Sequence, residues 1–148
     1  MENSMTINNI LKEFGEKHKL HHVFTPIDVK IDLENNNGAI IFKNKFLFLD
    51  SSKGKHSLTL ITEYGDNAIS DIKFALRIKR RKGVGKLISL DEINKTLSTN
   101  FIIKSGDLLY EGAIKRDEIN LDVLESLLYI IEDPLIKYLT PEYSGEQN

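Results

Sequence analysis

Residues 27–50, "IDVKIDLENNNGAIIFKNKFLFLD", decide how the chain is read. Ile27, Val29, Ile31 and Leu33 alternate strictly with Asp28, Lys30, Asp32 and Glu34, a period of two that belongs to a strand with one apolar and one wet face. Asn35-Asn36-Asn37-Gly38 then supplies residues that tolerate positive φ, so the segment is expected to reverse there and return as a second strand through "AIIFKNKFLFLD". The pattern predicts an antiparallel hairpin, with Ile27 to Leu33 facing a core.

Working outward, Ile7, Ile10, Leu11 and Phe14 fall at i, i+3, i+4 and i+7, one face of an amphipathic helix that should run to about Lys19. Downstream, "SSKGK" is a turn and "HSLTLITEY" a strand with Leu58, Leu60, Thr62 and Tyr64 on one side. "DIKFALRIK" places Ile72, Phe74, Leu76 and Ile78 opposite Lys73, Ala75, Arg77 and Lys79; a helix here would leave Phe74 and Ile78 off the apolar stripe. Ser89 and Glu92 have capping-box spacing for a short helix from Leu90 to about Thr99. A hairpin turns at Ser105-Gly106, and from Asn120 the residues Leu121, Leu124, Leu128, Ile131 and Leu135 form the seam of a long helix that Pro134 should kink or end. The expected fold is therefore α+β: an N-terminal helix, an antiparallel sheet of about five or six strands, a short middle helix and a long C-terminal helix.

A chain of 148 residues fits one domain, with residues 1–4 and 141–148 as loose ends. The absence of cysteine excludes disulfides, Cys-ligated zinc and a thiol nucleophile, and fits a reducing compartment. "MENSMTINNI" has no secretory-signal pattern and no apolar run approaches membrane-spanning length, so a soluble cytoplasmic protein is expected.

The net charge of −2 is unevenly distributed: "RIKRRKGVGK", Arg77 to Lys86, carries six cations and no acid, while residues 107–148 are strongly acidic. Gly83-Val84-Gly85-Lys86 looks like part of a phosphate loop, but the first glycine comes three positions late and Leu87 stands where a hydroxyl would hold magnesium. Alternation puts Phe74 on the face opposite Lys73 and Arg77, which separates the nearest stacking ring from the cations that nucleic-acid binding would use. If the stretch binds anything, Arg77, Lys79, Arg80, Arg81, Lys82 and Lys86 are its electrostatic contacts; otherwise it is the solvated end of a strand. His18, His21 and His22 would share a metal only on a continuous helix, which must end there for the strand to begin. Residues 32–43 lack the glycine position and terminal glutamate of a calcium loop. No nucleophile elbow or acid/base pair is arranged for catalysis, so neither an enzyme nor a cofactor is expected.

Ser89 to Leu139, "SLDEINKTLSTNFIIKSGDLLYEGAIKRDEINLDVLESLLYIIEDPLIKYL", resembles the C-terminal half of YbjN-type and type III secretion chaperone-like domains: a short helix, a hairpin whose turn carries Gly106-Asp107-Leu108, and an acidic closing helix. The resemblance implies a helix-sheet-helix α+β fold, frequently homodimeric, that binds other proteins and catalyses nothing. The expected function is a non-catalytic, chaperone-like protein-binding module that takes a partner segment on a sheet face or helix groove. The alternative is a nucleic-acid-associated regulator acting through residues 77–86. Self-association is expected through whatever part of the last helix, Leu127 or Tyr129, its own sheet leaves free.

Overall fold

The computed structural model describes residues 2–48, 56–65, 68, 71–79, 87–133, 136 and 140–142. Among these, α1 (Glu2–Lys17) leads into β1 (Leu20–Asp32), β2 (Asn37–Phe48), β3 (Ser57–Gly65) and β4 (Asp71–Ile78). β5 (Leu87–Ser89), α2 (Leu90–Leu97), β6 (Ile102–Lys104), β7 (Asp107–Lys115), a 3-10 turn (Arg116–Glu118), α3 (Leu121–Glu132) and β8 (Thr140–Glu142) follow. The main sheet has six strands in the order β1-β2-β3-β4-β7-β6, every neighbouring pair antiparallel. This is the expected α+β architecture.

Local chemistry sets the boundaries. Ser89 Oγ accepts the Glu92 amide at 3.2 Å to start α2, which ends at Leu97 with Ser98 left-handed at φ 55. Asn120 Oδ1 accepts the Val123 amide at 2.9 Å to start α3, and the helix stops at Glu132, ahead of Pro134. Ser105 and Gly106 take φ of 53 and 84 in the β6–β7 turn. The turn "SSKGK" and residues 134 and 135 lie outside the described residues.

One face of the sheet carries the helices. Phe46, Leu58 and Leu76 lie in register on β2, β3 and β4, and the ring of Phe14 from α1 meets Phe46 edge-on at 5.2 Å. Gly15 lets α1 come this close, since a Cβ there would already sit 3.3 Å from the Phe46 ring. Ile93 of α2 and Leu124, Leu128 and Ile131 of α3 complete the same buried core. Ile72, Phe74, Leu76 and Ile78 all point into it, as their alternation predicts. The opposite face presents exposed Lys43, Lys73 and Glu111.

Three features depart from the sequence reading. α1 ends at Lys17, two residues early, and β1 begins at Leu20, well before Ile27. β5 and β8 pair in parallel as a second, two-stranded sheet that their three-residue lengths did not betray. The third concerns burial: Ile27, Val29, Ile31 and Leu33 are 49%, 57%, 70% and 89% exposed rather than facing a core. β1 is the edge of the sheet, and its hairpin end extends beyond the contact of α1 with Phe46, so the alternating face exists without a cover.

Candidate protein-binding surface

The helix-side face divides at a line of polar groups. His22 of β1 stacks on Phe46 at 4.3 Å, and its Nε2 donates to Asn44 Oδ1 at 2.8 Å. Asn44 Nδ2 in turn donates to Thr62 Oγ1 at 3.1 Å. Asn44 and Thr62 are fully buried, and the chain of bonds across β1, β2 and β3 satisfies side chains that would otherwise be costly to bury. On one side of this line lies the core under α1 and α3.

On the other side lies an apolar floor. Phe24 and Phe42 stack at 4.4 Å with planes 10° apart, and Phe42 tilts against Tyr64 at 5.6 Å. Tyr64 donates its hydroxyl to Asn8 Oδ1 at 2.6 Å, which ties the N-terminal part of α1 to β3, and burial pushes its phenol pKa up. Val29 lies opposite Ile40 in the β1–β2 ladder and continues the floor toward Ile31. Phe24, Val29, Ile31 and Ile40 are each about half exposed or more. Scattered exposed apolar residues are ordinary; a contiguous group on one sheet face is a candidate interaction surface. The floor runs through the His22 ring, 6.3 Å from Phe24, into a groove of about 420 Å³ between α1 and β1 lined by Lys12, Gly15, Glu16, Lys19 and His21.

The strand edge beside this floor is guarded. The β1–β2 register shifts between Pro26 and Asp28, leaving Ile27 as the extra residue of a bulge. The Val29 amide just beyond is capped by Asp28 Oδ1 at 2.8 Å. Proline, a bulge and a side-chain cap all interrupt an edge that would otherwise pair along its length.

The candidate residues of the basic stretch have a different setting. Arg77 Nε donates to Asp107 Oδ2 at 2.9 Å and Lys79 Nζ lies 3.0 Å from the same oxygen, while Arg77 also reaches the Lys104 carbonyl at 3.3 Å. Asp107 is almost buried at the start of β7, so these two cations tie β4 to the β6–β7 hairpin. Arg80, Arg81, Lys82 and Lys86 lie outside the described residues.

The three clustered histidines diverge. His18 Nε2 donates to Glu125 Oε2 of α3 at 2.6 Å, His22 joins Asn44, and His21 stays exposed. Glu125 also takes Lys17 Nζ at 2.8 Å, and these two hydrogen bonds, Lys17 first, hold its carboxyl below the usual carboxylate range. This junction of α1 with α3 was not legible in the sequence, because its partners are 107 residues apart. Leu127, expected as a free contact on α3, is instead buried in the core, where the seam of the helix is wider than one row; Tyr129 is 57% exposed. Among the described residues no helix is long and apolar enough to cross a membrane. No protein-family model, curated protein or solved structure matches the chain.

Proposed function

We propose that the chain is a non-catalytic, chaperone-like module that works in the cytoplasm and binds an amphipathic segment of a partner protein on the floor formed by Phe24, Phe42, Val29 and Ile40. The observation that carries the reading is the contiguity of exposed Phe24, Val29 and Ile40 with half-buried Phe42 on the helix-side face, beyond the polar line at Asn44. Lys12 and Lys19, both exposed on the adjoining groove, favour a segment whose apolar face is followed by acids. The resemblance of residues 89–139 to chaperone-like domains points the same way. The nucleic-acid reading draws less support, since Arg77 and Lys79 already share the carboxylate of Asp107.

Selection of a displayed library of random peptides against the chain tests this. Selected peptides should be amphipathic and acidic, should shift the backbone resonances of Phe24, Val29, Ile40 and Phe42, and should lose binding to Phe24→Asp. Peptides that shift other residues, or that bind Phe24→Asp unchanged, overturn the proposal.

A further inference from the structure

The floor lies on a face of β1; its edge poses a separate question. Beyond the bulge the strand reads Val29-Lys30-Ile31-Asp32, with Leu33 opening the turn that follows, and this stretch is complementary to itself when reversed about Ile31. Antiparallel pairing centred there sets Ile31 opposite Ile31 and Lys30 opposite Asp32 twice, with Val29 meeting Leu33 of the turn just past the strand end. The neighbouring registers are worse: centring on Lys30 opposes Lys30 to itself and Asp28 to Asp32, and centring on Val29 draws the bulged Ile27 into the ladder.

The backbone favours the same centre. The Val29 amide turns to the Asp28 side chain rather than to β2, so by the alternation of an antiparallel ladder the amide of Ile31 also faces outward. Two outward Ile31 residues related by a two-fold axis can exchange both backbone hydrogen bonds. Lys30 and Asp32 then form the intervening non-hydrogen-bonded pairs, in which opposed side chains approach most closely. Asp32 is held as a carboxylate below its usual range by hydrogen bonds from the side chain and backbone amide of Asn35, and it keeps acceptor sites to spare. Lys30 pairs with Glu63 at 2.8 Å through one of its three donors. Ile31, the most exposed large apolar residue of the strand, and Leu33 at the start of the turn gain cover.

We propose that the chain self-associates by antiparallel addition of β1 to β1 of a second copy, centred on Ile31, with reciprocal Lys30–Asp32 pairs fixing the register. The pattern supplies what a two-fold interface requires, one patch that complements itself. The pairing is made through the backbone edge past the bulge, and Phe24 lies before the bulge and outside the paired residues, so the pairing is separable from partner binding at Phe24: Phe24→Asp should leave it intact.

Sedimentation of the wild type and of Lys30→Asp and Asp32→Lys tests the proposal, with circular dichroism to verify folding. The wild type should dimerise. Each variant alone opposes like charges twice and should raise the dissociation constant by about tenfold or more, since an exposed opposed pair and its reversal each count modestly. The equimolar mixture of the two variants should dimerise again, because every opposed pair becomes Asp with Lys. Ile31→Lys, at a position 70% exposed in the single chain, should fold and remain monomeric should either charge variant fail to fold. A monomeric wild type at high micromolar concentration, undiminished dimerisation of the folded variants, or a mixture that stays monomeric overturns it.

Discussion

Two strands with the same alternating pattern should respond oppositely to truncation. Phe74 of β4 is 8% exposed, meets Tyr110 edge-on at 5.3 Å and lies over Gly112, whereas Ile31 of β1 is 70% exposed. Removing a buried phenylalanine side chain forfeits its transfer energy and leaves a cavity, so Phe74→Ala should cost about 3–5 kcal/mol. Fully burying an isoleucine is worth about 1.5–3 kcal/mol, and Ile31 buries less than a third of its surface, so Ile31→Ala should cost less than about 1 kcal/mol. Urea unfolding at low micromolar concentration, where self-association adds little, measures both through the midpoint at constant slope. A loss of 2 kcal/mol or more at Ile31, or none at Phe74, would refute the assignment of β1 as an uncovered edge and β4 as a central strand.

Glu125→Gln should destabilise the chain at neutral pH by releasing Lys17 and His18 from α3. Because the carboxyl is depressed in the folded state, its contribution is complete above the ordinary glutamate pKa and disappears as pH falls through the depressed value; the urea midpoints of variant and wild type should therefore converge in acid, below that value. A gap that persists in acid would show that the site acts through packing. Gly112→Ala would place a Cβ 2.7 Å from Phe74 Cζ, and forcing that ring aside should cost about 1–3 kcal/mol, read by thermal or urea unfolding.

Much of the architecture was legible in short stretches. Ser89 with Glu92, Asn120 ahead of an apolar seam, Ser105-Gly106 and the alternation of residues 71–78 each act over a few residues, where propensity and capping chemistry are decided by neighbours in sequence. Alternation also assigns each side chain of a strand to one of two faces, an assignment that holds through β4 and, in β1, for Val29 and Ile31 past the bulge at Ile27.

Whether another element covers a face is a different matter, fixed by where helices distant in sequence come to rest. The same apolar pattern is core in β4, which lies between β3 and β7 under the helices, and is exposed in the hairpin end of β1, since α1 passes the line of His22, Asn44 and Thr62 on the side of β3, where Asn8 takes the Tyr64 hydroxyl, and leaves β1 uncovered. The cations Arg77 and Lys79 read as a solvated run until the β6–β7 hairpin brings Asp107 between them, and the helix-joining cluster at Glu125 forms only when α1 and α3 pack together. Sequence patterning sets what each surface is made of; burial and charge pairing depend on contacts closed over tens of residues, and those exist only in the folded chain.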